Sequence, residues 1–333
     1  MKYLAVTLSS CLLLLAQAPK QAQTKQAQVK QAPAKQTQPA ATPAAEDLGT
    51  TITLDVARVN MLFTVSDKKG RFISNLVKDD FEILESKKKQ TILGFTAESD
   101  LPLRLAILVD TSNSIRDRFK FIQEAATDFV NTVMRPEQDK AIIVSFDTTA
   151  ELVADLTADT EQLTRAIRGL RPGGGTALYD AIFFSCRDKL MQDQPRDKFR
   201  RALILLSDGE DNQSRWTREQ ALEMAQKADV VIYTISTNIS HSEMEGDKVL
   251  KRLAEETGGV AFFPFKAQDL SQSFENIANE LRHQYNLYYR PEPLKADGLY
   301  HAVDVHIKDR KDMIVRARRG YYAPSLGTEP RKQ

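Results

Sequence analysis

Between residues 101 and 284 the chain alternates short apolar runs with segments whose apolar positions recur every three or four residues. The runs at 103–109, 141–146, 202–207, 230–235 and 260–263 are nearly continuous in apolar residues. Strands of that kind are buried on both faces, as in a parallel sheet. Between the first two, Ile115, Phe119, Ile122, Ala126, Phe129 and Val133 fall on one helical face, which Pro136 stops. Segments 160–170, 178–190, 217–228, 248–257 and 270–283 read as further helices, with Gly258-Gly259 closing the one at 248–257. The alternation predicts an α/β fold: a doubly wound, mostly parallel sheet with helices on both faces.

The flanks carry a different period. Segment 51–65 alternates in parts, and Ser66-Asp67-Lys68-Lys69-Gly70 reads as a turn. Short strands are predicted at 81–84, 91–95, 285–289, 301–307 and 313–317. Neither flank holds enough apolar residues for a core of its own. The expectation is one small β-sandwich-like domain, contributed by 50–98 and 286–324, with an α/β domain over 99–285 inserted into it. Arg316 and Arg318 alternate, which on a strand puts both on one face, read here as solvated.

The first 18 residues have a lysine, an apolar run and a small-residue end, the pattern of a secretory signal. Leu8-Ser9-Ser10-Cys11 also resembles a lipoprotein box, so a lipid anchor at Cys11 is the one route to a membrane that the sequence offers. Residues 19–49 are rich in Gln, Ala, Lys, Thr and Pro and lack aromatics, as expected of a disordered linker. Residues 325–333 read as a tail. The protein is therefore expected to be exported, to the periplasm, cell envelope or extracellular space.

Charge changes the picture once this segment is set aside. The whole chain carries 46 basic and 45 acidic residues, or +1. Positions 1–45 hold five lysines and no acids, leaving 41 basic against 45 acidic residues, or −4. A weakly acidic folded part without a basic, aromatic-studded helix gives no footprint for nucleic acid. Cys186 is the single cysteine beyond the signal, on the apolar face of a predicted helix, and reads as a buried inert thiol.

Candidate chemistry lies at strand ends. The run 107–109 ends in Asp110, followed by Ser112 and Ser114; Thr176 follows three glycines; Asp208 ends the 202–207 run. In doubly wound sheets, ligands bind at the carboxyl ends of strands. Two carboxylates and three hydroxyls form an oxygen-only set suited to a hard divalent cation, Mg²⁺ or Mn²⁺, with an open position for an outside anion. Ser112 or Ser114 could instead cap the helix expected near Ile115. Glu210 and Asp211 read as solvated loop acids and Asp147 as a turn residue. Enzymatic readings are weaker. His241, His283, His301 and His306 lie far from the serines in sequence, no Gly-x-Ser-x-Gly elbow is present, and Gly173–Gly175 lacks a following lysine. Trp216, Tyr285, Tyr288 and Tyr289 read as packing aromatics.

Asp-x-Ser-x-Ser, the later Thr after glycines and the later Ser-Asp-Gly resemble the metal-ion-dependent adhesion site (MIDAS) of von Willebrand factor A (vWA) domains. The resemblance covers roughly 101–284 and implies that Ser112, Ser114 and Thr176 contact the metal, with Asp110 and Asp208 bound directly or through water. It implies a protein-interaction module that grips a partner's Asp or Glu carboxylate through Mg²⁺, not an enzyme. A metal-dependent hydrolase of the cell envelope, with Asp208 and Glu210 as paired acids, is the alternative. Lys68-Lys69-Gly70-Arg71, Lys78-Asp79-Asp80-Phe81-Glu82-Ile83 and Arg318-Arg319-Gly320-Tyr321-Tyr322-Ala323-Pro324 further resemble exported acidobacterial proteins with a VWFA-related domain.

Overall fold

The computed structural model describes residues 58–97, 101–193, 198–238, 242–264, 267–310 and 312–324. The signal segment with Cys11, the 19–49 linker, His241 and the 325–333 tail lie outside the described residues. No described helix is long and apolar enough to cross a membrane.

Four strands come first: β1 (Val59–Asp67), β2 (Phe81–Glu85), β3 (Lys88–Gln90) and β4 (Ile92–Thr96). The central sheet follows, from β5 (Leu103–Asp110), β6 (Lys140–Phe146), β7 (Ala150–Thr157), β8 (Arg200–Ser207), β9 (Val230–Ser236) and β10 (Ala261–Phe262). Its order is β10-β9-β8-β5-β6-β7. Every neighbour is parallel except β7, which runs antiparallel to β6 at the edge. The chain leaves β5 for β6 on one side and returns as β8 on the other. The crevice between the ends of β5 and β8 is thus the topological switch point.

β5 explains why the sheet needs helices on both faces. Leu105, Ile107 and Val109 pack with α1 (Phe119–Val133), α2 (Thr160–Gly169) and α6 (Ala267–Arg282), through residues such as Phe129, Leu163 and Ile277. Ala106 and Leu108 point the other way, into a core shared with α3 (Leu178–Phe184), α4 (Arg218–Lys227) and α5 (Glu245–Thr257). Cys186 belongs to that second core; full burial pushes its thiol far above the ordinary range, so it is inert.

Three local features depart from the pattern-based reading. β7 escapes it because an edge strand is half covered: Ala154 is buried while Glu151, Val153 and Asp155 are exposed. α1 begins at Phe119 rather than near Ile115, because Asn113–Arg118 forms a 3₁₀ turn. The predicted helix 178–190 is α helical only to Phe184, then widens into a π turn over Ser185–Lys189.

After α6 come β11 (Tyr285–Tyr289), β12 (Tyr300–Ile307), β13 (Met313–Ala317) and β14 (Gly320–Tyr322). They join the first four strands in two antiparallel sheets, β13-β1-β11-β4 and β14-β12-β2-β3. Strands from either side of the α/β region pair directly, Met61 opposite Leu287 and Ile83 opposite Val305. One apolar core joins them, in which the rings of Phe63 and Phe81 meet edge to face at 5.0 Å. Below it, buried Glu85 accepts from Tyr289 Oη at 2.8 Å and lies 3.1 Å from His301 Nδ1. His301 therefore belongs to the packing of these sheets.

The solvated reading of Arg316 and Arg318 is overturned. Arg316 Nη1 lies 3.0 Å from both oxygens of buried Glu280 on α6, and Arg318 donates to Asp229 Oδ1 at 2.6 Å and to the Asn60 carbonyl at 2.7 Å. The face they share lies against the α/β elements, where half-buried or buried acids require a cation. Burial nonetheless leads at Glu280, whose carboxyl is raised despite Arg316.

Candidate metal centre

The site is assembled at the crevice between β5 and β8. Asp110, the last residue of β5, is fully buried. Its Oδ1 accepts from the Ser112 backbone N–H at 2.8 Å and its Oδ2 from the Ser207 hydroxyl at 2.6 Å. Burial pushes this carboxyl up to about 6; hydrogen bonds from Ser112 and Ser207 oppose the rise and the nearby Asp208 charge adds to it. Among the described residues no ion pair reaches Asp110 or Asp208. Ser207 was not singled out in the sequence. Its one signal was a hydroxyl closing an otherwise apolar strand, immediately before Asp208.

Ser112 Oγ and Ser114 Oγ lie 2.9 Å apart. Ser112 precedes the 3₁₀ turn but its side chain makes no capping bond, so its hydroxyl is turned to Ser114 instead. The glycine loop is stitched to the same segment: Gly173 N–H donates to the Thr111 carbonyl at 2.6 Å, and Asn113 Nδ2 donates to the Gly174 carbonyl at 3.1 Å. Gly174 adopts φ +77°, a left-handed conformation natural to glycine. Thr176, buried, is gripped by Asn212: its N–H donates to Asn212 Oδ1 at 2.9 Å, and its carbonyl accepts from the Asn212 and Gln213 N–H groups at 3.0 Å.

Asn212 is the second residue that sequence reasoning missed, since a polar residue in a polar loop carries no pattern. Its role yields an expected result. Asn212→Ala should lower divalent metal affinity about 10–100-fold, the range for groups that orient a metal ligand, with the fold retained. Titration calorimetry beside a thermal melt checks this; unchanged affinity would contradict it.

Asp208 follows β8 in a tight corner. Gly209 adopts φ +81°, and a Cβ there would stand 2.2 Å from the Gly246 carbonyl oxygen. In return, a Cβ at Gly246 would stand 2.0 Å from the Asp208 carbonyl oxygen. The first turn of α5 thus rests directly on the backbone of the Asp208 loop. Asp208 Oδ1 accepts from the Glu210 N–H at 3.1 Å, while Glu210 itself is exposed. Asp211 is not the solvated acid the sequence suggested. Half-buried, it accepts from the Ser214 hydroxyl at 2.5 Å and from the Tyr179 N–H at 3.2 Å, holding the start of α3. Asp147 accepts from the Thr149 N–H at 3.3 Å, as a turn residue does.

The donor set fits a small divalent cation on two observations. Mg²⁺ holds oxygens at about 2.1 Å in an octahedron, so neighbouring ligands stand about 3 Å apart; the Ser112–Ser114 separation matches that edge. The second is Asp110, a buried carboxylate without a cationic partner among the described residues and with the Asp208 charge nearby. No group of three or more His, Cys, Asp or Glu suited to a metal occurs among the described residues. The candidate set is hydroxyl-rich, with fewer charges than a closed Ca²⁺ cage uses.

Several known proteins are similar to this chain. A solved von Willebrand factor type A protein from Catenulispora acidiphila is 15% identical, with 74% of this chain and 73% of that chain covered and a TM-score of 0.48. A structure of proximal thread matrix protein 1 from the mussel byssus, described as having a zinc-occupied MIDAS motif, is 20% identical over 59% of this chain and 49% of that chain, at 0.47. An uncharacterised protein of Borreliella burgdorferi is 23% identical over 232 residues, and the chain spans 64% of the length of that curated relative. The model of the von Willebrand factor type A domain matches residues 105–280, more than half of the 333 residues. The chain belongs to the von Willebrand factor type A domain family.

Proposed function

We propose that this protein is an exported protein-interaction module that binds Mg²⁺, or Mn²⁺, through Asp110, Ser112, Ser114, Thr176 and Asp208, and through it a partner's Asp or Glu carboxylate. The observation that carries the reading is the buried Asp110 carboxylate, near Asp208 and paired hydroxyls, with no cationic partner among the described residues. Two carboxylates balance the ion's charge but fill few of its six positions, and the hydroxyls around it are neutral, so a position held by water stays open to an outside carboxylate. Once desolvated, such a contact is a small hot spot, where removing one charged group costs several kcal/mol. The bound ion would supply charge for that grip; the chain's own residues orient it, Ser207 and the Ser112 N–H fixing Asp110, Asn212 fixing Thr176.

Export, to the periplasm, envelope or extracellular space, is part of the proposal and rests on the 1–18 signal pattern and the 19–49 linker; Cys11 offers a lipid anchor. The module would act by binding rather than turnover. The test is a pull-down from the source organism's envelope fraction by the full chain in Mg²⁺, in EDTA and in Ca²⁺. Capture should vanish in EDTA and be weak in Ca²⁺, which prefers more ligands at longer distances. Thr176→Ala should weaken capture about tenfold or more while its thermal melt stays that of the wild type. Capture at full strength in EDTA would show that another surface does the binding.

A further inference from the structure

Beside the metal site the α/β region carries a groove of about 490 Å³. Its floor is aromatic. Trp216, the only tryptophan in the chain, stacks on Phe183 with ring centroids 3.9 Å apart and planes 9° from parallel. Trp216 is nevertheless exposed, 37% by area, so its outer face is offered to solvent. The groove is continuous with the metal loops. Thr148, which lines it, accepts from the Gly175 N–H at 3.2 Å, and Gln213, which also lines it, donates its own N–H to the Thr176 carbonyl at 3.0 Å. A Cβ at Gly175 would stand 2.7 Å from Gln213 Cγ.

The groove's charges are unevenly satisfied. Arg187 makes a two-pronged pair with its neighbour Asp188, both contacts at 2.7 Å. Asp180 turns one oxygen inward, to the N–H groups of Arg215 and Trp216 at 2.8 and 3.0 Å. Arg215 is exposed, and its guanidinium has no ion pair among the described residues. Arg215 and Trp216 line the same groove, and an unpaired guanidinium together with an exposed tryptophan suits a carboxylate carried near an apolar side chain. The proposed metal position and Arg215 are thus linked through the loops that line this groove, which also holds Trp216 and Phe183.

We propose that this groove is the second half of the partner footprint. It takes an acidic segment of the partner protein: one carboxylate serves the metal, a second acidic side chain pairs with Arg215, and an apolar side chain lies on Trp216. The inference rests on the proposed metal-dependent function, and the test separates the two.

Trp216 itself is the reporter. The full chain in saturating Mg²⁺ is titrated with eight-residue Gly/Ser peptides bearing a single Asp, an Asp and a Glu three residues apart, or the latter pair with a Phe between. The third peptide should shift Trp216 emission saturably and bind at least tenfold more tightly than the first. Arg215→Glu should lower its affinity tenfold or more, and Arg215→Lys should recover part of the loss. Arg215 is exposed, so both variants should keep the wild-type melt, and calorimetry with Mg²⁺ alone should be unchanged in both. Equal affinity for the three peptides, indifference to Arg215→Glu, or no response to any peptide would overturn the proposal, as would Trp216 quenching by neutral oligosaccharides in place of peptides. Binding that depends on Arg215 but survives EDTA would uphold the groove and sink the metal reading; binding that needs metal but ignores Arg215 would do the reverse.

Discussion

Asp110→Ala should abolish saturable Mg²⁺ binding, an affinity loss of at least about 100-fold, since even a residue that only orients a ligand is worth about 10–100-fold. Asp110 closes β5, one of the two central strands of the sheet, and among the described residues is the only fully buried carboxylate at the switch point. The substitution removes half of the site's carboxylate charge and frees two donors, the Ser112 N–H and the Ser207 hydroxyl, that now hold Asp110 in place. It also takes away a desolvated negative charge that no described residue neutralises. The metal-free variant should therefore be no less stable than the metal-free wild type. Calorimetry gives the first quantity and urea denaturation in EDTA the second. Undiminished Mg²⁺ heat in the variant would remove Asp110 from the site.

The largest effect on stability is expected far from the metal. Asp139→Ala should cost about 3–5 kcal/mol, the range for removing one member of a buried charge pair. Asp139 is fully buried at the opposite end of the sheet. Its Oδ1 accepts from the Leu103 N–H at 2.7 Å, at the start of β5; its Oδ2 accepts from the Arg135 N–H at 2.8 Å and from Arg282, on α6, at 2.6 Å. One carboxylate thus ties together a strand, the end of α1 and the end of α6. Burial works to raise this carboxyl, but Arg282 and the two backbone N–H groups outweigh it and hold it below its ordinary value. A lowered carboxyl contributes stability above its unfolded-state value of about 3.9 and loses it as pH falls through the folded one. The gap between wild type and variant should be widest at neutral pH and close on acidification below about pH 4. Urea denaturation at pH 7 and at successively lower pH measures it; a gap under 1 kcal/mol at pH 7 would contradict the account.

How much of this was legible in the chain depends on periodicity. Strands buried on both faces, such as β5 and β8, announce themselves as unbroken apolar runs, and their carboxyl ends point to Asp110 and Asp208. Helices with one apolar stripe, α1 and α6 among them, do the same. The edge strand β7 was illegible, because one covered face leaves Ala154 buried among exposed charges. Ser207 and Asn212 were missed for another reason. Their value lies in hydrogen bonds across 97 and 36 positions of chain, to Asp110 and to Thr176, and no local pattern encodes a long-range partner. Arg316 and Arg318 show the opposite error. Their alternation correctly put them on one face, but only the fold reveals that Glu280 and Asp229 wait on the other side of it. The groove at Trp216 is of the same kind: its stack with Phe183 joins residues 33 positions apart in number, across the metal loops.

The central claim, that one divalent ion is held by these five residues, is tested most directly by diffraction. Crystals of the full chain grown with Mn²⁺ should show a single strong anomalous peak within bonding distance, about 2.2 Å, of the Ser112, Ser114 and Thr176 hydroxyls and near the Asp110 and Asp208 carboxylates. An anomalous peak bound elsewhere, or none at this crevice at saturating Mn²⁺, would contradict the account.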